Sequence, residues 1–532
     1  MILSLSAHSA HGVAAASILV ASACAVRTSS ISPASGPRTR AERTGYLETS
    51  HYSDAIAFLD SLKGRPELSF GSIGKTNEGR DIPYIVASRP RVATPEEARR
   101  LGRPVVYIQG NIHAGEVEGK EALLAILRDL TSSSRPNALD SVVLIAVPIY
   151  NADGNERFAS QQANRGSQNG PEMVGVRANA QGLDLNRDYI KSEAPETRAS
   201  LAMFTKWDPD IFVDLHTTDG SYHGYALTYA PPLNPAAPLG AWTRDSIMPV
   251  LRQRMQSRHG FPTFDYGDFI SDDTLSRGWA TFDSRPRFGT NYYGLRGRIG
   301  ILSEAYSYDP FERRVKSTYA FVREILSLAA EKSIRARPTS SGDQVPIRSE
   351  MIAAPDSVAV VAETMERTGD SARTQPGVPK GRRRSGRYVT VRMPVYDRFK
   401  PTLTVPRPAR YVLAPSDTQA VRVLRGHGIA VTVSGEPVSD AYAFVVDSTI
   451  VSPRPFQGHR EMRVTGRWRR EQRPIPAGAF IVDTSQPLGI LAVYLLEPQT
   501  DDGLLTWNYF DAQLRPGGTY PVLKVGGLPP TQ

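Results

Sequence analysis

Two apolar runs in this chain end at histidines, and they set what it can fold into. Pro104-Val105-Val106-Tyr107-Ile108 stops just short of His113-Ala114-Gly115-Glu116, and Ile211-Phe212-Val213-Asp214-Leu215 runs straight into His216. Short apolar runs bounded by polar or turn residues read as buried strands. Segments with helical spacing separate them. The pattern predicts a helix over 51–63, a hairpin over 71–88 turning at Asn77-Glu78-Gly79, a strand over 104–109 and a helix over 118–131. A strand over 141–148, an irregular stretch over 150–182, a helix over 194–206 and a strand over 211–216 follow. Helices over 243–257 and 315–332 flank a strand over 299–305. Strands alternating with helices imply an α/β fold: a mixed, mainly parallel twisted sheet with helices on both faces. Ligands of such sheets bind at the C-terminal ends of the strands, where both histidines stand.

The composition changes near residue 334. Residues 335–347 and 365–387 are polar, with Pro, Ser, Gly and Arg, which predicts a linker over 335–387, partly disordered. From 388 to 532 the pattern is one of short β-like runs, Tyr388–Met393, Ala441–Val446, Gly478–Val482 and Pro521–Val525, with one helical piece at Thr418–Arg425. The expected organisation is a catalytic domain over 46–334 and a β-rich C-terminal domain over 388–532.

The 532 residues carry a formal net charge of +9, part of it from Lys380-Gly381-Arg382-Arg383-Arg384. No stripe of basic residues interleaved with aromatics accompanies that run, so nucleic acid is not an expected partner. A single cysteine, Cys24, excludes an intrachain disulfide. Residues 12–26 form an apolar stretch too short for a comfortable membrane span. Ala21-Ser22-Ala23 matches a small-x-small cleavage site directly before Cys24. The expectation is an exported protein: a signal segment over 1–23, a linker over 24–45, and a periplasmic or secreted product. Its only contact with a membrane would be a lipid on Cys24.

The chemistry sits at the strand ends. His113, Glu116 and His216 can supply three protein ligands to one zinc ion per chain with a fourth position open. His223, in a loop beyond the strand, is an alternative ligand. Asp214, two residues before His216, faces the same side of its strand and can hold the imidazole. Asn186-Arg187 sets an amide beside a guanidinium fork, which suits a planar carboxylate. Tyr150-Asn151-Ala152-Asp153-Gly154-Asn155 reads as a tight turn after a strand. Glu304 ends the run Gly300-Ile301-Leu302-Ser303, and a carboxylate there needs a partner or a task. Taking the proton of an attacking water is one such task.

In this order, His113-Ala-Gly-Glu116, Asn151-Ala-Asp-Gly154, Asp184-Leu-Asn-Arg187, His216 and Glu304 resemble the motifs of the zinc carboxypeptidases of the carboxypeptidase A type, including exported bacterial members. The similarity covers roughly residues 46–332. It implies that His113, Glu116 and His216 bind zinc, and that Asn186 and Arg187 grip a substrate's free C-terminal carboxylate. It implies that Glu304 is general base and then general acid. It assigns oxyanion stabilisation to Arg177, with Arg165 as the alternative, and the substrate-facing active-site tyrosine to Tyr293, with Tyr292 beside it. Ala152 replaces the usual proline of the turn. The implied substrate is a peptide or protein with a free C-terminus. Two other functions fit the same residues: hydrolysis of peptidoglycan stem peptides or another amide, and a catalytically silent binding protein on a peptidase scaffold.

Overall fold

A computed structural model describes residues 36–132, 134–271, 274–332, 343–368, 381–471 and 474–526. The signal segment and Cys24 lie outside the described residues.

Eight strands form the central sheet: β1 (Leu68–Lys75), β2 (Asp81–Ala87), β3 (Val105–Gly110), β4 (Val143–Val147), β5 (Ile211–Thr217), β6 (Leu227–Ala230), β7 (Thr263–Asp265) and β8 (Ile299–Ala305), in the order β1-β2-β4-β3-β5-β8-β6-β7. The four central strands β4, β3, β5 and β8 run parallel. Antiparallel pairings bring in β2 on one side and β6 on the other. The sheet is therefore mixed and mainly parallel, as the alternation of strands and helices predicts. Sequence patterning did not reveal β6, β7 or the helix Gly289–Leu295, all of which fall in aromatic and glycine-rich stretches without clean periodicity.

Side chains alternate between the two faces with the strand period of two. Val106, Ile108, Ile211, Val213 and Leu215 pack with buried residues of the helices Glu118–Leu130, Met248–His259 and Phe311–Lys332. Val105, Tyr107 and Phe212 face the other way, onto Leu201, Phe204 and Trp207 of the helix Pro195–Trp207. That second core does not stop at the sheet. It continues through Val345, Leu424 and Phe444 to the helix Gly489–Leu496, whose residues are apolar all round. A helix with no polar face is stable only when enclosed, and this one is buried along nearly its whole length.

The C-terminal region contains an antiparallel six-stranded sheet built from Thr432–Val433, Phe480–Asp483, Arg410–Leu413, Leu523–Val525, Ala441–Val451 and Met462–Arg470. The stretch expected as a linker differs from that reading. Gln344–Ile352 pairs with Arg398–Pro406, and Val358–Arg367 pairs with Arg382–Met393. The polarity that reads as linker belongs to the solvated faces of these two-stranded ribbons, and one face of an antiparallel pair tolerates water. Short strands also stitch the two regions together, since Trp279 and Ala280 pair in parallel with Val395 and Tyr396.

His427 marks the seam. Its Nδ1 accepts from the Tyr292 hydroxyl at 2.7 Å and its Nε2–H donates to the Ile190 carbonyl at 3.0 Å. Burial, seconded by the nearby Arg296 charge, pulls this histidine down to about 4. An unfolded histidine protonates near 6.5. The stabilisation is therefore complete above that pH, drains as the pH falls and levels off below the folded value. Denaturant titrations at about pH 7 and pH 4.5 should show the wild-type chain losing about 2–3 kcal/mol more than His427→Gln over that interval. Equal losses in both chains would contradict this account of the seam.

Candidate metal centre and active site

Three parallel strands deliver the site. β3 ends at Gly110, β5 at Thr217 and β8 at Ala305, with Leu215 in register with Gly110 and His216 with Glu304. Between β3 and the helix Glu118–Leu130 the chain turns through Asn111, which holds a left-handed φ of 65°. Gly110 and Gly115 serve close approach instead. A Cβ on Gly110 would lie 2.9 Å from the carbonyl carbon of Gly119, and one on Gly115 would lie 2.6 Å from Arg165 Cγ. The loop can therefore nest against the helix and bring His113 and Glu116 over the end of β5.

His113, Glu116 and His216 converge, all buried. Their ligand atoms stand close: His113 Nδ1 to Glu116 Oε1 is 3.0 Å, His216 Nδ1 to Glu116 Oε2 is 2.9 Å, and the two Nδ1 atoms are 3.2 Å apart. The opposite nitrogens point at carboxylates. His113 Nε2 lies 3.0 Å from Asp184 Oδ1. His216 Nε2 lies 3.0 Å from Asp214 Oδ2, off the ideal hydrogen-bonding direction. Taken as metal ligands, the Nδ1 atoms would present lone pairs while each Nε2 carried the ring hydrogen toward its carboxylate. Two nitrogen lone pairs and a carboxylate would then face one another across about three ångströms, which repels unless a cation lies among them. Ligands about 2.0 Å from a tetrahedral zinc are separated by about 3.3 Å. The donor set and its spacing fit a zinc ion.

The charges around this centre are balanced. Burial works against ionising Glu116, but His113 and Arg165 hold its carboxyl well below the usual range. Burial likewise opposes charge on His216, and the Asp214 and Glu116 carboxylates outweigh it and raise the imidazole well above its ordinary value. Asp184 is also held far below the ordinary carboxylate range; burial opposes this, and His113 and Arg177 override it. Glu304 is shifted the other way. Its burial, reinforced by the nearby Glu116 and Asp219 charges, pushes it well above the normal value against the pull of His216 and Arg165.

The remaining expected residues divide between the site and the core. Arg177 lines the centre: Nε donates to Asp184 Oδ2 at 2.9 Å, Nη1 lies 3.4 Å from Glu116 Oε1, and about a third of its side chain (36 %) is exposed. Arg165 is buried, with Nη1 on Glu116 and Asp219 and Nη2 on the carbonyls of Thr217 and Thr218. That commitment makes it a rivet between loops and leaves Arg177 as the arginine with donors to spare. Asn186 accepts from the Gly289 N–H at 2.9 Å and its Nδ2 reaches to 3.5 Å from His216 Nε2. Arg187 stacks on the Phe288 ring at 4.1 Å, and its nearest carboxylate, Asp184, is 4.0 Å away. Burial with so loose a counter-charge lowers its guanidinium below the usual value.

Tyr293 is not in the site. Its ring is fully buried, 3.9 Å from Phe204 and 4.0 Å from Phe212, so it fills the core behind β5. Tyr292 is occupied by His427. Tyr266, just past the end of β7, lies within the electrostatic field of the site's charges. Burial and the charges of Glu304, Asp268, Asp219 and Glu116 push its phenol well above the ordinary value, and it influences Arg187. Since β7 itself escaped the sequence patterning, nothing marked the residue that follows it. His223 also stands apart from the metal cluster. It packs against Tyr306 at 4.3 Å, accepts from the Tyr225 N–H, and is pulled down to about 3 by burial.

Two imidazoles and a carboxylate that could hold a cation, with a raised carboxyl alongside, are the donor set a metal-dependent hydrolase requires. Residues 55–232 match the sequence model of the zinc carboxypeptidases. Carboxypeptidase 2 of Trichophyton tonsurans is 24% identical over 481 residues, spanning 85% of this chain and 81% of the relative. Carboxypeptidase Z of Mus musculus is 35% identical over 125 residues, 22% of this chain and 17% of the relative. Among solved structures, a metallo-carboxypeptidase from Burkholderia cenocepacia overlays with a TM-score of 0.39 at 19% identity, covering 52% of this chain and 69% of that one. The match to the zinc carboxypeptidases over residues 55–232, the named carboxypeptidase relatives and the His113–Glu116–His216 cluster together support a metallocarboxypeptidase hydrolase with zinc as its cofactor.

If Asp184 and Asp214 fix the imidazoles as the distances indicate, Asp184→Asn and Asp214→Asn should each weaken zinc retention about 10- to 100-fold in a chelator competition. Retention within about twofold of wild type would show that the histidines need no such anchors.

Proposed function

We propose that the protein removes C-terminal residues from peptides by hydrolysis, using Glu304 as the proton carrier. The observation that supports this most is the placement of Glu304 in register with His216 on the neighbouring strand. It is buried, yet among the described residues no hydrogen bond or ion pair engages it. A carboxyl in that position has a task other than stability.

Asn186 and Arg187 receive the substrate's terminal carboxylate. Arg187 keeps its planar fork braced on Phe288 and only weakly compensated, so a second carboxylate is welcome there. That fixes the scissile bond over the strand ends. His113, Glu116 and His216 would hold zinc, whose Lewis acidity would serve a scissile carbonyl and an attacking water. Glu304 accepts the water's proton, and its elevated affinity for protons suits both that step and the return of the proton to the leaving amine. Arg177 directs its free edge at the developing oxyanion.

Glu304→Gln should lower kcat about 10²- to 10⁴-fold with the zinc content unchanged; a variant turning over at the wild-type rate would remove Glu304 from this role. Paired peptides differing only in C-terminal amidation test the carboxylate clamp. The free acid should be cleaved and its amidated twin left intact. Equal cleavage of both would favour a different amide substrate, such as a wall peptide cut internally.

A further inference from the structure

We propose that the C-terminal β-rich part is a working portion of the active site, with Gln457 and Tyr509 as positioning residues for the loop that carries Asn186 and Arg187. The inference rests on the reading of those two residues as the carboxylate clamp.

The loop from Asp184 to Glu193 has little structure of its own. It contains one three-residue turn, Leu185–Arg187, with Asn186 off helical geometry, and a left-handed Ser192. Asp188 braces it from within, taking Lys191 Nζ at 2.6 Å and the N–H groups of Glu193 and Ala194, and the C-terminal part holds it from outside. Gln457 Oε1 accepts from the Asp184 N–H at 2.8 Å. His427 Nε2 donates to the Ile190 carbonyl at 3.0 Å, and the Tyr509 hydroxyl donates to the Lys191 carbonyl at 2.8 Å. His459 Nε2 sits 3.0 Å from Glu193 Oε1. All four grips come from the C-terminal part, one at the start of the loop and three over 190–193.

The grip at Asp184 is specific. Phe456 and His459 exchange backbone hydrogen bonds of 2.7 and 3.0 Å across a two-residue turn. Gln457 and Gly458 hold φ values of 50° and 82°, the mirror-image turn that favours Gly and Asn. A glutamine accepts that backbone at some cost, and its amide then reaches the chain that anchors the site. Asp184 accepts from Arg177 through one oxygen, and through the other meets His113 Nε2 and the Asn186 N–H. A small shift of its backbone would carry the Asn186 N–H that it holds, and the clamp with it. The C-terminal part also removes a competitor. Arg287 neighbours Arg187, and Asp502 and Glu461 take up its guanidinium at 2.8 and 2.6 Å. Released, it would be a second cation beside the clamp.

The test uses the full chain loaded with zinc. Gln457→Gly deletes the acceptor while easing the turn, Tyr509→Phe deletes a donor and keeps the ring, and Gln457→Glu retains an acceptor oxygen. Steady-state kinetics on a peptide with a free C-terminus are read beside amide hydrogen exchange of the 183–193 segment and thermal melting. For Gln457→Gly and Tyr509→Phe, KM should rise about fivefold with kcat within about twofold, the loss of one hydrogen bond to the clamp's frame. Exchange in 183–193 should accelerate in both and return toward the wild-type rate in Gln457→Glu. Wild-type KM and exchange in both variants, with only the melting temperature lowered, would make these contacts ordinary packing and overturn the proposal. If the wild-type enzyme cleaves amidated peptides as well as free acids, the clamp reading falls, and the exchange measurement still decides whether the C-terminal part orders the loop.

Discussion

The site depends on one buried carboxylate. Glu116 is 2% exposed, and its two oxygens take contacts from His113, His216, Arg165, Arg177 and the Thr217 N–H. A lone charge so placed would cost several kcal/mol. It is tolerated because the fold brings the end of β5, the loop after β3 and two arginines to it at once. The close nesting of Gly110 on Gly119 makes that possible, since a side chain at either position would push the loop away from the sheet. Geometry and electrostatics are then one problem: a backbone approach fixes the carboxylate, and the carboxylate fixes the two imidazoles.

From this centre, proton affinities diverge. Glu116 and Asp184 are held ionised by the cations around them, while Glu304, close by, is driven toward its neutral form. Carboxyl groups in one pocket with opposite tendencies are the usual signature of divided labour, one group binding and the other moving protons. The arginines divide similarly. Arg165 and Arg287 spend their donors inside the protein, whereas Arg177 and Arg187 stay partly exposed.

Most of the centre was legible in the sequence because it stands at the ends of strongly apolar strands. Val105–Ile108 and Ile211–Leu215 identify themselves by composition, and His113, Glu116, His216 and Glu304 follow by position. The interior of a parallel sheet leaves little room for any other pattern. What stayed hidden depends on contacts across long sequence distances. Tyr266 follows a three-residue strand that has no periodicity to find. Tyr293 was a candidate only through the family resemblance, and the stacking of Phe204 and Phe212 on its ring shows that it belongs to the core. The polar run of arginines from 382 to 387 reads as a linker because a ribbon's solvated face and an unstructured segment share the same composition. The union of the C-terminal region with the sheet's second core has no local signal at all, apart from the wholly apolar Gly489–Leu496.

The central claim is that three side chains from two strand ends surround one zinc ion, and a crystal structure of the protein grown with zinc tests it most directly, with anomalous diffraction recorded on either side of the zinc absorption edge. The account predicts a single strong anomalous peak bounded by His113 Nδ1, a Glu116 oxygen and His216 Nδ1, with both Nε2 atoms still turned to Asp184 and Asp214. A peak elsewhere, or these three side chains refined apart with no metal between them, would contradict it.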